Sequence, residues 1–268
     1  MKTFIAGGGL GDCVLILNKL RQLGRPGDRL IYYLAEKQGN SRTVIEEFWA
    51  SQKVDCTIQM VPEIATPLNH PAPGHKKLNP LIYGTGCIMV EKWKWVIYPF
   101  DAFASSTMHF ACNPSPYERY FVVQSDAGTM KYRGAKNWFH TDWINDFISQ
   151  ARATGLKCVL LGTKDVGIRG ADHIHYKIPL TDLFGLIQGA DFVLGLQGFI
   201  TIVALCMNKR VLLKRENLRV MLNYFHPRWL RHGRIFVECP KWQPTKTAKL
   251  LDWALTPQTH ADFNQRKI

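Results

Sequence analysis

Short apolar runs alternate along the chain with longer amphipathic stretches, the rhythm of α/β layers. Lys2 to Ala6 reads as a buried strand entering a glycine loop, and Leu15, Leu17, Leu20 and Leu23 then recur at helical spacing from Asp12 to Leu23. Arg29–Leu34 is a second strand, Ser41–Gln52 a helix with Ser41 as its cap, and Val54–Met60 a third strand. Val61 to Tyr83, rich in Pro, Asn and His, reads as a loop, and Trp93–Pro99 alternates again. The proline-bearing segment Ala111–Glu118 marks a boundary, giving an N-terminal domain over 1–117 and a C-terminal one over 118–268.

The second half repeats the rhythm. Arg119–Gln124 opens it as a buried strand, and Trp138, Trp143, Ile144, Phe147, Ile148 and Ala151 share a helical face between Asn137 and Thr154. Strands are expected at Lys157–Gly162, Asp191–Gly195 and Arg210–Lys214. Helices are expected from Thr181, as cap, to Gln188, over Phe199–Met207 and over Thr245–Leu255. Both halves thus read as Rossmann-like, doubly wound units facing a central cleft, with ligands at the carboxyl ends of the strands.

The 268 residues, 46% of them hydrophobic, suffice for two small domains with their own cores. Seven cysteines scattered singly fit neither a disulfide framework nor a zinc ribbon, which points to a reducing, cytoplasmic compartment. The opening MKTFIAGGGLGDC lacks a signal peptide's apolar region, and no apolar run is long enough to span a bilayer. The formal net charge of +13 favours anionic partners: nucleic acid, acidic lipid or glycolipid, or phosphorylated small molecules.

The glycine loop is Gly7-Gly8-Gly9-Leu10-Gly11-Asp12. It fails the dinucleotide fingerprint because Asp12 stands at the last glycine, where a carboxylate would repel a pyrophosphate at the helix start. This disfavours a nicotinamide-dependent oxidoreductase, and without Gly-Lys-Ser/Thr the loop is no P-loop. Asp12 is either a helix cap or a general base that takes a proton from an acceptor hydroxyl, or both. Gly9, Leu10 and Gly11 would then line the acceptor side.

Three strand ends in the second half suit a diphosphate. After Gln124 come Ser125, Gly128, Thr129, Lys131, Arg133 and Lys136, small or cationic residues able to hold phosphate, or simply a charged surface loop. Gly162 begins a turn with Thr163 and Lys164, for which an ordinary turn is the alternative. Gly195-Leu196-Gln197-Gly198-Phe199-Ile200-Thr201 joins a strand to a helix, and the amides from Gly198 on would point at an anion.

The order of these motifs resembles glycosyltransferase family 9, typified by ADP-heptose heptosyltransferases. The resemblance rests on Gly9-Leu10-Gly11-Asp12, on Gln124–Lys136 followed by Asn137-Trp138-Phe139, on Val159-Leu160-Leu161-Gly162, and on Leu180–Gly195. It is good from about 119 to 214 and weak in the middle of the first half. It implies a GT-B fold, inverting transfer from a nucleotide-diphosphate sugar without a metal or other cofactor, Asp12 as base, and Thr129 and Lys131 on the diphosphate. The family's acidic residue and histidine at the last turn are absent from Leu196–Thr201, so the donor or the way its phosphates are held is expected to differ.

From Lys209 to Arg234 eight Lys or Arg face one acid, Glu216, with Tyr224, Phe225 and Trp229 interleaved. Arg215, Arg228, Trp229 and Arg231 are therefore candidate acceptor contacts for a polyanion. A hydroxymethylated DNA base, flipped from its duplex, is the favoured acceptor, since phage DNA glycosyltransferases are GT-B enzymes of this kind. A lipopolysaccharide or other envelope glycan is the second reading, and a non-catalytic polyanion-binding module of the same fold the third. His173 and His175 lack an obvious third metal ligand, Trp93 and Trp95 share a strand face, and Glu36 and Asp101 are fallback bases.

Overall fold

The computed structural model describes residues 2–34, 42–62, 88–90, 94–96, 109–125, 141–196, 198–214, 235–238 and 246–256. The chain divides into two compact units, Met1–Ala111 and Cys112–Ile268, so the division falls at the start of the proline-bearing segment rather than at 117/118. Each unit is mixed α/β.

In unit 1, β1 (Thr3–Gly8), β2 (Arg29–Leu34) and β3 (Thr57–Pro62) run parallel. On the other side of β1, the short strands β4 (Ile88–Val90) and β5 (Lys94–Val96) pair antiparallel, giving the order β3-β2-β1-β4-β5. Helices α1 (Leu10–Leu23) and α2 (Arg42–Ser51) pack together. The buried residues Cys13, Ile16, Leu17 and Leu20 recur at helical spacing on α1, and Phe48 and Trp49 of α2 are buried too. Trp49 meets Tyr32 and Phe48 edge-on at 5.6 and 5.2 Å between centroids. The Cys13 thiol donates to the Tyr32 hydroxyl at 3.1 Å in this dry interior, and burial pushes the thiol pKa far up, so Cys13 is inert packing.

Unit 2 holds a six-stranded, wholly parallel sheet in the order β11-β10-β9-β6-β7-β8. Its strands are β6 (Tyr120–Gln124), β7 (Lys157–Gly162), β8 (His173–Tyr176), β9 (Phe192–Gly195), β10 (Arg210–Lys214) and β11 (Ile235–Glu238). Both faces are covered, so β6 is buried at every position and reads as one apolar run. Helices α3 (Thr141–Ala153) and α6 (Thr247–Leu255) cover the face carrying Phe121, Leu160, Phe192 and Leu212. Phe121 and Phe192 stack there at 5.0 Å. Helices α4 (Leu180–Gly189) and α5 (Phe199–Cys206) pack together and against β6, β9 and β10. Thr181 is not the cap of α4: Pro179 is, and Leu180 begins the helix. The cap expected at Ser41 lies outside the described residues.

Candidate functional site

The strand order of unit 2 reverses at one place. From β6 the chain steps to β7 and β8, then crosses back through α4 to lay β9 on the opposite side of β6. The carboxyl ends of β6 and β9 therefore flank the crevice that doubly wound sheets use for ligands. Gln124 and Ser125 end β6, Gly195 and Leu196 end β9, and α5 starts immediately beyond.

This corner is tightly built. Ser125 is 2% exposed, and its N–H donates to the Leu161 carbonyl at 2.8 Å. Thr201 is fully buried, with its hydroxyl 2.9 Å from the Leu196 carbonyl and 3.0 Å from that of Gly198. The same oxygen accepts the Gly198 N–H at 3.2 Å. Thr201 thus caps α5 from its third position, and the Gly198 amide, expected to face an anion, is spent on that cap. Gly195 leaves no space for a side chain: a Cβ there would lie 2.6 Å from Thr201 Cγ2 and 3.0 Å from Gln124 Oε1. Gln124 and Gly195 were not among the expected site residues. Their importance comes from contact across the sheet, which neighbouring residues in the sequence do not announce.

Of the other donor-side residues, Gly162 ends β7 half-buried, and its carbonyl accepts the Lys177 N–H at 3.2 Å. Thr163 and Lys164 are exposed beside an ordinary turn, in which the Asp165 carboxylate accepts the Gly167 N–H at 2.8 Å. Phe199 is half-buried at the first helical position of α5, its ring 6.0 Å from that of Phe184. Gly128, Thr129, Lys131, Arg133, Lys136 and Gln197 lie outside the described residues.

In unit 1, the glycine segment is shorter than a phosphate loop. Gly7 and Gly8 belong to β1 and pair with Tyr33 and Leu34, so Gly9 alone separates strand from helix. Leu10 and Gly11 are already the first residues of α1, and Asp12 is the third. The Asp12 carboxylate accepts the Gly9 N–H at 2.9 Å and is half-buried. Asp12 therefore caps α1, and that bond fixes the orientation of the carboxylate. The acceptor-side candidates Arg215, Arg228, Trp229 and Arg231, like Glu36, Trp93 and Asp101, lie outside the described residues.

A cavity of about 500 Å³ opens at the opposite end of the unit 2 sheet, lined by Arg119, Asp191, Asn208, Lys209 and Arg210 among others. Two of its cations are occupied. Lys209 Nζ donates to the Ala190 carbonyl at 2.9 Å, just past α4, and Arg210 Nη1 to the Trp253 carbonyl at 2.6 Å in the last turn of α6. These bonds satisfy helix ends whose dipoles repel anions, so Lys209 and Arg210 serve stability here. Among the described residues no group of three or more His, Cys, Asp or Glu side chains converges, and no helix is long and apolar enough to cross a membrane.

No family model and no curated protein matches the chain. Among solved structures it is similar to the iron-containing dodecameric glycosyltransferase TibC of enterotoxigenic E. coli H10407, with 12% identity over 79% of this chain and 56% of that one, at a TM-score of 0.49. It is also similar to a glycosyl transferase family 9 protein of Veillonella parvula DSM 2008, with 10% identity over 80% of each chain and a TM-score of 0.48. For the E. coli heptosyltransferase WaaC with ADP, identity is 11% over 88% of this chain and 91% of that one, with a TM-score of 0.46. The chain spans little more than half the length of TibC.

Proposed function

We propose that this chain is a glycosyltransferase that moves a sugar from a nucleotide-diphosphate sugar to an acceptor hydroxyl. The observation that carries the reading is the topological switch of unit 2, which sets the carboxyl ends of β6 and β9 side by side with α5 starting just past β9. The motif order shared with glycosyltransferase family 9 adds direction. In this reading the diphosphate meets the start of α5 and the segment after Ser125, with Thr129, Lys131, Arg133 and Lys136 neutralising it.

The chemistry then follows from the groups available. The acceptor oxygen forms a bond to the anomeric carbon as its proton passes to the Asp12 carboxylate. The bond from that carbon to the diphosphate oxygen breaks, and the nucleoside diphosphate leaves with the electron pair. Attack opposite the leaving group inverts the centre. Fixed cations and amide dipoles stabilise the charge that builds on the leaving group.

The cations from Lys214 to Arg234 favour a polyanionic acceptor, and a hydroxymethylated base in DNA is the acceptor we infer. An envelope glycan is the second reading, favoured by the same motif resemblance. The test is release of nucleoside diphosphate from a panel of nucleotide sugars, ADP-heptose included, with and without hydroxymethylated duplex DNA. Release that rises only with the modified DNA supports both donor and acceptor. Slow release indifferent to DNA keeps the transferase and moves the acceptor to glycans. No release and no thermal stabilisation by any donor overturns the reading in favour of a polyanion-binding module.

A further inference from the structure

The parallel sheet of unit 2 brings four helix ends to one place. The cavity of about 500 Å³ lies at the amino ends of its strands, within the roughly 300–1,000 Å³ typical of small-molecule sites. Thr154 follows α3, Asp191 stands two residues past α4, Asn208 two past α5, and Leu255 closes α6; all four line the cavity. Lys209 and Arg210 are committed to the carbonyls of Ala190 and Trp253. Arg119 and Asp191 are not. Both are exposed, and neither side chain is in a hydrogen bond or ion pair among the described residues.

Two lining residues have left-handed backbone, Arg119 at φ 47° and Asn208 at φ 63°. Asn208 is accounted for, since asparagine tolerates that region and its N–H on the Leu205 carbonyl at 3.0 Å ends α5. Arg119 ends no helix. It turns the chain into β6, its carbonyl accepting the Lys157 N–H at 3.0 Å, at a position where glycine would be less strained. The arginine there sets a guanidinium on the cavity wall. The field inside is close to balanced. Cations exceed acids by two among the lining residues, and four helix carboxyl ends, each equivalent to about half a negative charge, oppose them. That balance disfavours a phosphate and suits a neutral ligand rich in hydrogen-bonding groups. One part of the wall is apolar: Leu156 and Ala254 are buried, and Leu255 is 37% exposed.

We propose that this cavity binds a neutral saccharide, with Arg119 and Asp191 on neighbouring hydroxyls and Leu255 against the apolar face of the sugar ring. A hydroxyl both donates and accepts. A vicinal pair therefore satisfies a carboxylate, which only accepts, together with a guanidinium, which only donates. A pyranose is polar around its rim and apolar on its C–H face, which matches a wall carrying opposite charges on one part and leucine on another. Lys209 and Arg210 keep their structural bonds. The carboxyl ends of β6 and β9 lie at the other end of this sheet, so a sugar here is bound and not transferred. The inference does not rest on the proposed transferase activity.

The test is saturation-transfer NMR on the full chain with glucose, galactose, mannose, N-acetylglucosamine and their disaccharides, and with inorganic phosphate as the anionic probe. At least one saccharide should bind with a millimolar or lower dissociation constant, undisturbed by phosphate. Arg119→Gly, which suits the left-handed backbone, and Asp191→Ala should each weaken that saccharide at least tenfold while thermal melts show a folded protein. Leu255→Ala, at an exposed position, should weaken it at least threefold. Asp12→Asn should bind it as the parent does. Absence of binding by every saccharide, unchanged affinity in the folded cavity variants, an equal loss in Asp12→Asn, or displacement of the saccharide by phosphate overturns the proposal.

Discussion

The Asp12 carboxylate accepts the Gly9 backbone N–H at 2.9 Å across the start of α1. This side chain caps a helix, and in the proposed mechanism it is also the base; the two roles separate by substitution. Asparagine still offers an oxygen to Gly9 but cannot take a proton. Asp12→Asn should therefore leave the melting temperature nearly unchanged, within about 0.5 kcal/mol of stability, and reduce transfer at least about a hundredfold. Asp12→Ala should lose the cap as well, at a cost of about 1 kcal/mol. Initial rates and thermal melts on both variants check this, and full transfer by Asp12→Asn would remove the base from the mechanism.

The packing at the carboxyl end of β9 depends on the absence of one carbon. An alanine at 195 would press on Thr201 Cγ2 and on Gln124, both buried. Because Thr201 also caps α5, displacing it disturbs the helix start that faces the proposed diphosphate. Gly195→Ala should destabilise the protein by about 1–3 kcal/mol and weaken nucleoside diphosphate binding at least tenfold. Calorimetric titration read beside a denaturant melt checks it. Unchanged affinity in a folded variant would place the donor elsewhere.

Much of this was legible in the sequence, and what escaped has physical causes. The parallel strands β6, β7, β9 and β10 are buried on both faces, so they appear as unbroken apolar runs wherever the sheet needs them. Strands β4, β8 and β11, at three or four residues, are too short to show a period. The glycine loop misled in extent, because Gly7 and Gly8 remain in the β1 ladder although their type suggests a turn. The cap at Asp12 was legible because its place at the helix start restricts what a carboxylate can do there. The contact between Gln124 and Gly195 was not, since it joins residues far apart in the chain through tertiary packing.

The cavity beneath the unit 2 sheet gives a contrasting prediction. Lys209 spends its ammonium on the Ala190 carbonyl, and burial lowers its pKa while Asp191 partly restores it. Lys209→Met keeps the apolar stem and leaves that carbonyl without its donor. It should destabilise by about 1–2 kcal/mol and leave nucleotide affinity within about twofold of the parent. A large loss of affinity without a loss of stability would make this cavity a nucleotide site.

Acid stability offers a test in unit 1. The Asp28 carboxylate accepts the Lys2 N–H at 2.6 Å and the Arg25 N–H at 3.1 Å, joining the entry of β1 to the turn before β2. The Lys2 N–H above all holds its pKa below the usual aspartate range against the opposing effect of burial, with a smaller contribution from the Arg25 N–H. The unfolded chain therefore takes up this proton first as pH falls. The bonds stabilise fully above the ordinary value near about 4, and that contribution disappears as pH drops through the lower folded value. Thermal melts from pH 6 to pH 2.5 should show the parent losing more than Asp28→Asn, with the two curves converging at the acid end. Parallel curves for parent and Asp28→Asn across the whole range would mean that the turn, not the charge, sets the strength of this junction.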